Sequence, residues 1–170
     1  AINSGLAAYE AVDGVGPDAY CASPAYHPMA DGKCLRVLAV LHRSKLLSGS
    51  HFAARVLRIC ERLEEVATAG IDDAWSWGLG FSWRDLPATE PFLITSALIV
   101  RGALDCQREG GCPERLQRLV DNGKRALGRW PRHLACPVGE EGLSLPAYSP
   151  GICAPIYNAA AYCYATLKVA

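Results

Sequence analysis

The chain has 170 residues, of which 51% are apolar and 20% charged, which suits a single domain with a real core and excludes a disordered or strongly solvated segment. Lys plus Arg and Asp plus Glu each total 17, and this neutral balance speaks against nucleic acid as a partner, because phosphate binding needs a basic excess. No apolar run reaches the ~18 residues of a spanning helix, so no membrane span is expected. The chain opens on Ala1 without a signal-peptide layout, as a processed, trimmed or excised chain would, and a cytoplasmic location is the expectation.

Residues 1–33 are rich in Gly, Pro, Ala and Tyr without a sustained period, and read as an irregular arm with room for a short helix near residues 7–12. From Cys34 onward a helical domain is expected over 34–170. Leu35, Val37, Leu38, Val40 and Leu41 predict a dense apolar helix ending near Leu47. Ser48 or Ser50 then caps a second helix, whose Phe52, Val56, Ile59, Cys60, Leu63 and Val66 follow a 3.6-residue period, with Gly70 as its stop.

A segment over 74–90, AWSWGLGFSWRDLPATE, follows and holds three of the four tryptophans. Pro91 sits where a first-turn proline belongs and opens a third helix through Leu93, Ala97, Val100 and Leu104, broken by Gly110 and Gly111. Pro113 opens a fourth helix, with Leu116, Leu119, Val120, Ala126 and Leu127 inward, Arg residues outward and Pro131 at its close. The charge excess over residues 101–132, eight Lys or Arg against four acids, reads as a solvated face. A second long loop over 132–155 leads to a fifth helix from Ile156 to about Lys168. Apart from a few residues near Leu143–Leu145, no segment alternates as a strand does. The fold expected is therefore all-α, an array of antiparallel helical hairpins with long loops on one face.

Eight cysteines and four histidines lack zinc-ribbon, CxxC, HxxxH or HExxH spacing, so no metal is expected. Reduced structural thiols are the leading reading, with disulfides or a metal as alternatives. No nucleotide-binding or GxSxG motif is present, and no cofactor is expected.

The chemistry concentrates in the two loops. In the first, Trp75, Trp77, Phe81 and Trp83 lead into Arg84, Asp85 and Glu90. Flat aromatic faces suit the C–H surfaces of sugar rings, Arg and carboxylates take hydroxyls, and paired acids can work on a glycosidic bond. Asp85 and Glu90 are therefore the candidate catalytic residues, and Trp77, Trp83 and Arg84 the candidate ligand contacts. For the group as a whole the leading reading makes the tryptophans plugs of the helix ends. At the helix start itself, capping of the third helix is the leading reading of Glu90, and Thr95 and Ser96 lie one turn inside it. In the second loop Tyr148, Tyr157 and Asn158 complete the candidate ligand-binding set, or else tie the loop down.

W-G-x-G-F-x-W at 77–83, T-E-P-F-L-I-T-x-A-L at 89–98 and Y-S-P…Y-N-A-A-A at 148–161 resemble bacterial α/α-toroid proteins of polysaccharide biosynthesis and processing, akin to six-hairpin glycosidases, lyases and uronyl epimerases. The resemblance spans roughly residues 34–168. It implies a partial toroid whose mouth binds carbohydrate through Trp77, Gly78, Phe81 and Trp83 in the first loop and Tyr148, Ser149, Pro150 and Asn158 in the second. A full ring needs about twelve helices and five are expected here, so a second copy or a partner chain would complete it, unless the chain is a fragment or folds as a smaller bundle. The function expected is a carbohydrate-active or carbohydrate-binding domain for polysaccharide. A noncatalytic helical-repeat module that binds protein is the alternative.

Overall fold

A computed structural model describes residues 8, 15–18, 21–70, 73–110, 114–139 and 142–169. Five helices carry most of them: α1 (Pro28–Arg43), α2 (Gly49–Glu65), α3 (Leu93–Arg108), α4 (Glu114–His133) and α5 (Tyr157–Val169). Seven short strands accompany them: β1 (Val15–Asp18), β2 (Cys21–Tyr26), β3 (Thr68–Ala69), β4 (Trp75–Ser76), β5 (Ala135–Val138), β6 (Leu143–Ser149) and β7 (Ile152–Pro155). They pair antiparallel as β1–β2, β3–β4 and β5–β6–β7.

The molecule is thus not all-α but mixed, with small antiparallel sheets in and between the helical connections. The reason the strands escape a sequence reading is chemical. Pro146 pairs with Ala135 inside β6, and Pro137 and Pro155 sit in the strands on either side. Proline cannot donate to a ladder and normally argues against a strand. β3 and β4 are two residues each, too short to show a period. The β1–β2 hairpin occupies part of the segment read as an irregular arm, and α1 begins at Pro28. The short helix expected near residues 7–12 falls largely outside the described residues. Gly70 does not close α2, which ends at Glu65 and gives way to β3. Pro131 lies inside α4 rather than beyond it, in the last turn.

The helices follow their apolar spacing. Ser48 caps α2, its side chain accepting from the His51 N–H, and Pro28 supplies the first-turn proline of α1. α3 is the centre of the core: Leu93, Ala97, Ile99, Val100 and Ala103 are fully buried on it, and it packs against α1, α4 and α5. A helix apolar on nearly every side must be surrounded. Gly102 lets α1 and α3 approach closely, since a Cβ there would run into the Gly32 carbonyl oxygen. Beside this contact, Asp31 is fully buried and takes a two-pronged ion pair from Arg62 at 2.7 and 3.1 Å, with the Tyr26 hydroxyl also donating to it. The amphipathic α4 sends Arg115 and Arg118 outward to Glu64 of α2. No helix among the described residues is long and apolar enough to cross a membrane.

Candidate functional site

The first loop is a laced excursion from α2 to α3, held by backbone bonds. Phe92 N–H donates to the Trp77 carbonyl at 2.9 Å and Gly80 N–H to Ala88 at 3.3 Å. At the tip, Trp83 and Leu86 exchange two bonds of 3.0 and 3.1 Å around a tight turn at Arg84 and Asp85. Gly80 adopts a φ of +86°, and a Cβ there would collide with the Tyr26 carbonyl. Only glycine takes this left-handed backbone cheaply, and the resulting close pass sets Phe81 edge-on to His27, 5.5 Å between centroids.

The tryptophans divide between two fates. Trp77 is fully buried among α2, α3 and α4, its Nε1–H donating to the Leu63 carbonyl at 2.8 Å and its N–H to Ser96 Oγ at 3.1 Å. It is a core plug with no face open to a ligand, which corrects its expected place on a sugar platform. The loop's shape demands this, since the residue that both ends of the excursion bond to becomes its root. Trp83, at the tip, keeps part of its surface open. The Arg84 guanidinium lies 4.6 Å from its ring centroid, a cation–π arrangement. Arg84 itself has a left-handed φ of +54°, a costly conformation for a residue with a Cβ.

The second loop reaches the same place through β6. Trp130 of α4 is fully buried and donates from Nε1 to the Ala147 carbonyl at 2.8 Å, while Ala147 N–H donates to Leu134 at 2.6 Å. Fixing Ala147 this way fixes its neighbour. Tyr148 meets Phe92 edge-on at 5.1 Å, and Phe92 in turn meets Trp83 at 6.0 Å. Burial pushes the Tyr148 phenol above its usual range, so it stays a neutral hydroxyl near neutral pH.

These contacts enclose a cleft of about 750 Å³ between the start of α1, the first loop and β6, lined by His27, Lys33, Phe81, Trp83, Arg84 and Tyr148 among others. Its volume is that of a small-molecule site. Two cations and an imidazole line it, and no carboxylate does among the described residues. Three expected ligand contacts, Trp83, Arg84 and Tyr148, therefore converge here.

The remaining candidates lie elsewhere. Asp85 is exposed on the turn and does not line the cleft. Glu90 Oε1 accepts from the Gly151 N–H at 2.6 Å, clasping one loop to the other, and borders a separate recess of about 480 Å³ beside His133 and Pro150. Tyr157 is 66% exposed in the first turn of α5, next to an exposed Asn158, and neither lines the cleft. The cleft also takes in His27, which by sequence reads as a surface residue, and Lys33, which no motif singles out, with the buried Phe92 behind Trp83 and Tyr148. His27 has no motif around it, and it meets the loop through contacts between distant segments, the close pass of Gly80 on Tyr26 and Pro28 and the Phe81 ring on His27. No group of three or more His, Cys, Asp or Glu side chains among the described residues could hold a metal. Set against known proteins, the chain matches no family model, no curated protein and no solved structure.

Proposed function

We propose that this domain binds carbohydrate in the cleft between the first loop and β6, with the partly exposed ring of Trp83 as the platform for a sugar ring. The observation that carries the reading is the convergence of Trp83, Phe81 and Tyr148 with Arg84 and Lys33 around one cleft of ligand size. Aromatic faces supply apolar contact and the Tyr148 hydroxyl and the cations supply polar contact. Because cations and, among the described residues, no acids line the cleft, sugars bearing carboxylates are the favoured class. The reading is of binding rather than hydrolysis, since Asp85 and Glu90 stand outside the cleft and Glu90 is engaged with Gly151.

Tryptophan fluorescence titrated with uronic-acid and neutral oligosaccharides tests this. The acidic series is expected to shift the emission, more weakly at high salt, and Trp83→Ala is expected to lose the response with little change in melting. Arg84→Gly relieves the left-handed backbone and removes the guanidinium, so it is expected to weaken acidic sugars more than neutral ones. A wild-type protein silent to every glycan refutes the reading. The protein-binding alternative draws on one face of α1, where Val37 and Val40 are 42% and 55% exposed beside Arg36 and Arg43. A mass that rises with concentration in light scattering would favour it.

A further inference from the structure

The sheet behind Tyr148 carries a feature that carbohydrate binding does not use. Cys136 on β5 and Cys153 on β7 place their sulfurs 2.8 Å apart, although the residues are 17 positions apart in sequence. Both strands pair with β6, β5 through Cys136 opposite Leu145 and β7 through Ile152 opposite Ser149. Neighbouring elements therefore hold the two thiols together. Their surroundings differ sharply. Cys136 is 1% exposed, whereas Cys153 is the only exposed thiol among the six cysteines whose side chains are described. The other four, Cys34, Cys60, Cys106 and Cys163, are buried.

We propose that Cys136 and Cys153 form a redox-closable disulfide site, entered at Cys153 by a low-molecular-weight disulfide and resolved by Cys136. The Cys153 thiolate attacks one sulfur of the small disulfide RSSR, forming a mixed disulfide and releasing RS⁻, which takes up a proton. Cys136 then loses its proton to solvent and attacks Cys153 Sγ, expelling the second RS⁻. The net change is two protein thiols plus RSSR to one protein disulfide plus two RSH, a balanced two-electron exchange. Closing the contact to a bond of about 2.05 Å takes under about 1 Å of movement.

The asymmetry of the pair sets the order of events. Burial, and then the contact with Cys153, raise the Cys136 thiol to about 11, so Cys136 keeps its proton and is shielded from reagents in solution. Capping Cys153 as a mixed disulfide removes that neighbouring thiol or thiolate and makes it easier for Cys136 to ionise. The bond would tie β5 to β7 across the strand that bears Tyr148.

The test equilibrates the intact protein in glutathione buffers of increasing oxidised fraction, quenches with acid and alkylating agent, and maps linked peptides by mass spectrometry. The expected product is a Cys136–Cys153 cross-link, with the melting temperature higher in the oxidised than the reduced buffer by roughly 5–10 °C. That difference should vanish in Cys153→Ser, a change at an exposed site that should leave the fold intact. Cys136→Ser should instead accumulate a glutathione adduct on Cys153. A wild-type protein that carries the adduct on Cys153 while Cys136 stays a free thiol would overturn the proposal, as would a link from either cysteine to a different partner. If Cys136→Ser does not fold, the wild-type map and the Cys153→Ser melting curves decide the matter by themselves.

Discussion

Replacing Trp77 by Phe separates a plug from a platform more cleanly than any other single change. Phenylalanine keeps an aromatic filler in the space among α2, α3 and α4 but removes Nε1, and with it the 2.8 Å bond to the Leu63 carbonyl. Leaving that carbonyl in the last turn of α2 without its donor costs about 1–3 kcal/mol. The smaller ring leaves a void on the order of 40 Å³, worth about 1 kcal/mol at the usual cost of cavity volume. The sum is a loss of about 2–4 kcal/mol, or roughly 5–15 °C in melting temperature for a chain of this length. Urea denaturation followed by circular dichroism reads it directly, as a lower midpoint at unchanged slope. Trp83→Ala, at a half-open site held by Phe92 and Arg84, should cost only about 1 kcal/mol. A Trp77→Phe protein of wild-type stability that no longer responds to sugar would refute the assignment, because it would mean that ligand reaches a buried indole.

Gly102→Ala should lower the melting temperature, because the added methyl meets the Gly32 carbonyl between α1 and α3. Overpacking of about 1–3 kcal/mol outweighs the roughly 1 kcal/mol that the helix gains from losing a glycine. Asp31→Ala strips a fully buried carboxylate from Arg62 and should cost about 3–5 kcal/mol in chemical denaturation. Stability under reducing conditions should fall as pH rises above 9, the ordinary thiol value, toward 12. Burial pushes the Cys163 thiol up to about 12, so over that range the unfolded chain releases a proton that the folded chain retains. Melting curves between pH 8 and 11 check this, and Cys163→Ala should flatten the slope.

The helices were legible because each is set by a local signal that survives in the fold. The spacing of Phe52, Val56, Ile59 and Leu63 makes α2, Ser48 caps it, and the apolar content of α3 requires burial on several sides. The candidate site was legible in part, since Trp83, Arg84 and Tyr148 do meet at one cleft. The strands were hidden by their prolines and their shortness, because hydrogen bonding to a partner strand rather than side-chain alternation defines them.

What the sequence by itself determined is the order of helices and loops and the richness of those loops in aromatic residues, both properties of neighbours along the chain. Only the tertiary structure decided what each aromatic residue does. Trp77 and Trp83 are six positions apart in one loop, yet one is the root on which the loop closes and the other its tip, because the backbone bonds of the excursion turn one inward and leave the other at the cleft. The same holds for Glu90, drawn to Gly151, and for Cys136 and Cys153, brought into contact by strands that share a partner. Composition fixes which groups are present, and packing across distant segments fixes which of them remain open to a ligand.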